Sequence, residues 1–234
     1  MDAILTADGL NTFYGKSHIL FDVSFNVRPK ETLCLMGRNG AGKSTTFKSL
    51  VMMVPPKSGR VLLKGQDITG KKAHSIARLG VGLVPEDRRI FGTLTVKENL
   101  ELGASTGRTG IWNLELVYDY FPILKEYANR PGSNLSGGEQ QMLTIARTLM
   151  GNPDVLLLDE PTEGLSPIMV KTLKDLILKL KEVDTTILLS EQNAKFAMRV
   201  ADRVMIIDKG HIRYKGDIEE FRQNEYVQKV YLAL

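Results

Sequence analysis

Apolar and polar positions change rhythm several times along the chain. Residues 3–7, and then Ile19, Phe21, Val23, Phe25 and Val27, put an apolar side chain at about every second position. That is the period of a half-buried antiparallel strand, in which successive side chains point to opposite faces. Arg28-Pro29-Lys30-Glu31 follows as a turn. Leu33-Cys34-Leu35-Met36 is apolar without alternation, as expected of a strand covered on both faces. A helix is predicted over residues 43–53, stopped by Pro55-Pro56, and residues 60–64 with Gly65 read as another short strand and turn. Between residues 95 and 150 the rhythm becomes helical: Leu94-Thr95-Val96-Lys97-Glu98-Asn99-Leu100 opens one helix, and residues 107–110 make a flexible break. Strands return with Val155-Leu156-Leu157-Leu158, Thr186-Ile187-Leu188-Leu189 and Val204-Met205-Ile206-Ile207, while Leu173, Leu176, Ile177 and Leu180 space a helix between the first two. Strands alternating with helices predict a parallel α/β sheet. Asp208-Lys209-Gly210 gives a turn, and a short helical tail is expected to finish the chain.

Composition narrows the class without deciding the function. The 234 residues are 43% hydrophobic and 25% charged, an ordinary globular balance that fills one domain, or one domain with a subdomain. Cys34 is the sole cysteine, so no internal disulfide forms; its apolar strand context predicts a core role and a reducing, cytoplasmic setting. The chain shows neither a basic-then-apolar leader nor a run near the ~18 apolar residues of a membrane span, so any membrane work is expected to pass through partners. The net charge of +4 is scattered through the chain, which reads as a solvated mixed-charge surface rather than a nucleic-acid face.

Three motifs carry chemistry. Gly37-Arg38-Asn39-Gly40-Ala41-Gly42-Lys43-Ser44, followed by Thr45, runs from the apolar strand into the first helix and has the spacing of a phosphate-binding P-loop. Its glycines permit backbone conformations that a Cβ would block, so successive N–H groups can turn inward around phosphate oxygens at a helix N-terminus. Lys43 is expected to reach the β/γ oxygens and Ser44 to ligate Mg²⁺. Asp159 and Glu160 end the apolar run 155–158, at the strand end where α/β sheets bind ligands; Asp159 suits Mg²⁺ and Glu160 suits orienting or deprotonating a water. Leu135-Ser136-Gly137-Gly138-Glu139-Gln140 opens a helix with Ser136 as N-cap and Glu139 completing a capping box. Capping does not require the two glycines, each costing about 1 kcal/mol inside a helix, so a close approach to that backbone is expected.

With these motifs in this order, the chain resembles an ATP-binding cassette (ABC) ATPase subunit over its whole length. The resemblance implies a fold class: an α/β P-loop NTPase core with a mainly parallel sheet, an N-terminal antiparallel β subdomain and an α-helical subdomain inserted at about residues 94–150. All of it belongs to one nucleotide-binding domain, residues 1–234. The implied ligands are ATP and Mg²⁺. The family's signature motif, here Leu135, Ser136, Gly137, Gly138, Glu139 and Gln140, is implied to face the γ-phosphate held by Lys43 of a second ABC ATPase, identical or paralogous, in a head-to-tail dimer. Tyr14 matches the aromatic that stacks on adenine.

Three positions depart from the common pattern. Glu86 stands where a glutamine usually sits and is expected to contact Mg²⁺ as an anion; Gln192 stands where a switch histidine is usual, and Ser166 where an aspartate is common. Gln192 can hydrogen-bond a γ-phosphate but cannot relay a proton, which raises the weight on Glu160 as base. Glu86 with Arg88-Arg89-Ile90-Phe91, Gln140-Gln141-Met142-Leu143, Gly164-Leu165-Ser166-Pro167 and Glu191-Gln192-Asn193-Ala194 together resemble the LivF-type ATPases of bacterial branched-chain amino-acid importers. That likeness implies an ATP-hydrolysing importer subunit, peripheral on the cytoplasmic face of the membrane. It would dock on transmembrane permease subunits through residues 86–100, serve a solute-binding protein indirectly, and bind no nucleic acid. Importers of urea or short amides, an exporter ATPase, and a soluble ABC ATPase acting on nucleic acid or ribosomes are the alternatives. His18, His74 and His211 take no role.

Overall fold

The computed structural model describes residues 2–232. β1 (Leu5–Tyr14) and β2 (Ser17–Val27) pair as an antiparallel hairpin. Leu10 faces Val23 while Thr12 faces Leu20, so β2 advances three residues where β1 advances two. Asp22, at φ 51°, lies in this bulge. An extra residue changes the face that later side chains present. The uniform alternation expected along this segment is corrected accordingly: Val23, Phe25 and Val27 are buried, but further upstream Leu20 is the buried residue and Ile19 and Phe21 are only half-buried.

β3 (Thr32–Met36) is buried throughout and leads to α1 (Lys43–Leu50), which ends earlier than the prolines alone predict. The N–H groups of Met53 and Val54 turn back to the Lys48 carbonyl, and Met52 adopts φ 56°, so a left-handed residue closes the helix. β4 (Ser58–Leu63), β5 (Gln66–Asp67), α2 (Ala73–Leu79) and β6 (Val81–Val84) come next. Between β6 and the following strand lies the helical segment: α3 (Val96–Gly103), α4 (Leu114–Tyr120), α5 (Pro122–Glu126) and α6 (Gly137–Leu149). Then come β7 (Val155–Asp159), α7 (Pro167–Glu182), β8 (Ile187–Glu191), α8 (Ala194–Val200), β9 (Arg203–Asp208), β10 (His211–Asp217), α9 (Ile218–Gln223) and α10 (Glu225–Leu232). The tail therefore contributes a strand before its helices.

The strands form two sheets. One is antiparallel, in the order β2-β1-β4-β5; the other has the order β10-β9-β3-β8-β7-β6 and is parallel except for β10 at its edge. Its central strands serve two cores. Leu33 and Leu35 of β3, Val155 and Leu157 of β7 and Leu188 of β8 join the core shared with the antiparallel sheet and Phe47 of α1. Cys34, Met36, Leu156, Leu158 and Leu189 join the core on the helical side. These runs are uninterrupted because neither face meets water. All the parallel strands then release their C-terminal ends along one edge, where polar residues follow.

Candidate functional site

β3 delivers the chain to Gly37, whose N–H donates to the Glu191 carbonyl at 3.3 Å. A Cβ on Gly37 would sit 2.4 Å from the Ile207 carbonyl oxygen, so only glycine fits. Gly42 is the N-cap of α1 at φ 112°, with no side chain bonded to the helix start, so the first N–H groups of α1 remain available to an anion. Arg38, Asn39 and Gly40 form the exposed crest of the loop, and Ala41 is buried under it. Lys43, 3% exposed, folds back over this loop: its Nζ donates to the carbonyls of Gly37 at 2.7 Å and Arg38 at 3.0 Å and pairs with Glu160 Oε1 at 3.1 Å. Tyr14, half-exposed, and Ile19 join Gly40, Gly42, Lys43, Ser44, Thr45 and Glu160 around a cleft of about 250 Å³.

The β7 end supplies the opposing wall. Asp159 lies opposite Ser190 of β8 in register, and its Oδ1 accepts from Ser190 Oγ at 2.7 Å and from Ser44 Oγ at 3.1 Å. Ser190 Oγ in turn accepts the Glu160 N–H at 2.9 Å. Glu160 adopts φ 45°, a conformation costing roughly 1–3 kcal/mol that these bonds maintain. It turns the carboxylate to Lys43, and its Oε2 is buried without a hydrogen-bond partner. Burial raises the Asp159 carboxyl above its usual range; the hydrogen bonds from Ser190 and Ser44 oppose this, and the charges of Glu160 and Glu86 add to it. Glu163 is raised by burial and then by the same two neighbours. Glu86 itself is exposed, yet its charge reaches the cluster. Negative charge is thus crowded at the cleft, as a cation-binding site requires. No group of three or more His, Cys, Asp or Glu capable of holding a metal occurs among the described residues. Magnesium suits such a place, because it takes one or two protein oxygens and fills its shell with phosphate and water.

The third motif stands apart from this cleft. Ser136 caps α6: its N–H donates to Glu139 Oε2 at 2.7 Å, and its Oγ accepts from the Glu139 N–H at 3.4 Å. Gln140 Nε2 donates to the Leu135 carbonyl at 3.2 Å. Part of the demand for two glycines is internal to the chain. A Cβ on Gly138 would lie 2.7 Å from Met169 Cγ, and one on Gly137 would lie 2.8 Å from Arg88 Nη1. Leu135 is buried, whereas Ser136 is exposed.

The structure therefore gathers Tyr14, the 37–45 loop and Glu160 around one cleft, holds Asp159 against Ser44, and leaves the 135–140 loop outside. Gln192 is exposed and unbonded among the described residues. Sequence reasoning missed Ser190, Glu191 and Thr162. Their signal was present, since Ser190 and Glu191 end an apolar strand in polar residues just as Asp159 does. Arg88 entered the sequence reading only as part of a subgroup pattern; its guanidinium lies against Gly137, and both it and Arg89 take left-handed backbone angles of 60° and 48°.

A glycine-rich anion loop on a parallel sheet, with lysine and acids converging from adjacent strand ends, defines a P-loop nucleotide hydrolase. Residues 20–163 match the family described as ABC transporter, and the chain belongs to it as an ATPase whose nucleotide is ATP. The chain is 38% identical to the high-affinity branched-chain amino acid transport ATP-binding protein BraG of Pseudomonas aeruginosa, over 98% of this chain and 100% of that protein. It is 36% identical to the probable branched-chain amino acid transport ATP-binding protein LivF of Archaeoglobus fulgidus, over 96% and 97%. Identity to the lipopolysaccharide export system ATP-binding protein LptB of Escherichia coli is 35%, over 99% and 98%. A solved ATP binding subunit of an ABC transporter superimposes with a TM-score of 0.84 at 26% identity, covering 98% of this chain and 96% of that one.

Proposed function

We propose that the chain is the ATP-hydrolysing subunit of a membrane importer for branched-chain or other hydrophobic amino acids, acting as one nucleotide-binding domain on the cytoplasmic face. One observation carries the chemistry: the buried Lys43–Glu160 pair at 3.1 Å beside the Ser44–Asp159 contact at 3.1 Å. The cargo rests on the names of BraG and LivF.

In this reading ATP enters with adenine against Tyr14 and its phosphates over residues 37–45, where backbone N–H groups and Lys43 meet the β/γ oxygens. The γ-phosphate competes with Glu160 for Lys43. Ser44 and Asp159, with the charge of Glu86 nearby, would hold Mg²⁺, which would supply charge neutralisation for the phosphate oxygens. Glu160, released from Lys43, takes a proton from water; the water oxygen bonds to the γ-phosphorus as the bridging bond breaks and ADP leaves with its electron pair. Gln192 donates a hydrogen bond to the γ-phosphate. Ser136, Gly137 and Gly138 of a second ABC ATPase, with Leu135, Glu139 and Gln140 shaping their loop, cover the same phosphate from across a head-to-tail dimer, so that ATP binding closes the pair.

The permease subunits fit a second hollow of about 350 Å³ lined by Leu83, Phe91, Leu102, Gly103 and Arg147, where Phe91 and Leu102 stand 51% and 42% exposed. A solute-binding protein delivers cargo on the far side of the membrane. The test is recovery of Glu160→Gln protein, loaded with ATP, from membranes of its host: permeases and a second ATPase are expected, and ribosomal or DNA-bound proteins without permeases would overturn the transport reading. Export is the second reading, supported by the likeness to LptB; uptake of labelled amino acid by reconstituted vesicles separates the two.

A further inference from the structure

Glu191 is a carboxylate to which the mechanism above gives no task. It ends β8 one residue before Gln192 and is 1% exposed. Burying a charge at such a position is costly unless its bonds require it. Its Oε1 accepts from the Thr162 hydroxyl at 2.7 Å, and its Oε2 accepts from the Asn193 N–H at 3.2 Å. Its main-chain carbonyl accepts from the Gly37 N–H at 3.3 Å. One residue thus touches the loop that follows Glu160, the loop that carries Gln192 and the start of the phosphate loop. Two donors converge on two separate oxygens, which an ionised carboxylate accepts directly; an amide could accept from the Asn193 N–H only by reversing the other bond, its NH₂ donating to a Thr162 hydroxyl that has turned round. The titratable groups that act electrically with it are Glu160, whose Oε1 faces Lys43, and the buried thiol of Cys34 on β3.

We propose that Glu191 is a positioning residue for hydrolysis: by tying Thr162 to Asn193 it fixes the spacing between Glu160, which activates water, and Gln192, which contacts the γ-phosphate. The proposal rests on the reading of Glu160 as the base. Glu191 acts through Thr162 and Asn193, setting the distance at which other groups work. Losing it therefore slows turnover while leaving the phosphate loop able to hold ATP.

The test compares full-length Glu191→Gln, Thr162→Val, the double variant and Glu160→Gln for binding of a fluorescent ATP analogue and for steady-state ATP hydrolysis. Glu191→Gln and Thr162→Val are each expected to bind within about threefold of wild type and to lose tenfold or more in kcat. The double variant should be no slower than the slower single one. Wild-type kcat in Glu191→Gln, or binding and kcat falling together, would overturn the proposal. So would losses that multiply in the double variant. If Glu191→Gln does not fold, Thr162→Val, which removes one hydroxyl from a partly buried loop, is judged by the same criteria. Glu160→Gln separates the two failures. If it hydrolyses normally, the reading of the base is wrong; if it is inactive while Glu191→Gln is normal, only the positioning role falls.

Discussion

Lys43 and Glu160 bury opposite charges against each other, and on the proposed reading that pairing makes Glu160 a competitor of the nucleotide. Removing its charge frees Lys43. Glu160→Gln is therefore expected to bind ATP at least as tightly as wild type in equilibrium titration while hydrolysing it ~10²–10⁴-fold more slowly, the usual worth of a general base. Lys43→Ala should lose ATP affinity in the same titration, and unchanged binding would count against the loop's role. Glu191 adds a pH dependence of another kind. Burial, with help from the charge of Glu160 and against the bonds from Thr162 and Asn193, pushes its carboxyl from 4.5 to about 7. The folded chain thus takes up a proton near pH 7, whereas the unfolded chain stays ionised until near 4.5. Through this group, acidification across that window stabilises the fold, by at most about 1.4 kcal/mol per pH unit. Denaturation midpoints of wild type and Glu191→Gln between pH 8 and 5 should differ in slope in that direction. At this scale the 37–45 loop and the acids of β7 stood out because they follow apolar strands at a fixed spacing, and the structure does bring Lys43 to Glu160 and Ser44 to Asp159. The partners of Ser190, Glu191 and Thr162 did not, because these residues bond other parts of the protein and such contacts leave no fixed spacing, even where, as at Ser190 and Glu191, the strand end itself is marked.

Elements were readable where both faces of a strand are covered. Leu33 to Met36, Val155 to Leu158 and Ile187 to Leu189 appear as uninterrupted apolar runs because each alternates between two cores. Edge strands carry less signal. β6 is half-buried at Gly82 and Leu83, and β10 alternates weakly beside solvent, so neither was anticipated; nor was the short α2. The bulge at Asp22 defeated a correct period by shifting its phase. Glycines separate rigid neighbours from yielding ones. Gly37→Ala meets the Ile207 carbonyl, part of a strand backbone, and is expected to cost roughly 1–3 kcal/mol in thermal unfolding. Gly138→Ala meets the Met169 side chain, from Cγ outward, rather than backbone, and should cost less in the same melt.

For the whole molecule, the two sheets and the helical segment set the active residues along one edge while the 135–140 loop lies outside their cleft. On the proposed reading, that separation is what a second ATPase would close. The Glu160→Gln chain with ATP and Mg²⁺ is expected to elute as a dimer in size-exclusion chromatography, alone or with its paralogue, and to revert to monomer when the nucleotide is removed. The internal salt bridge at Lys43 has a further bearing on this cycle. If Lys43 serves the nucleotide as proposed, a stray sulfate or orthophosphate would have to displace a carboxylate already tethered beside it. Once the γ-phosphate had been cut away, the same tethered group would be on hand to reclaim the lysine, and the spent product would meet a rival that never has to diffuse in.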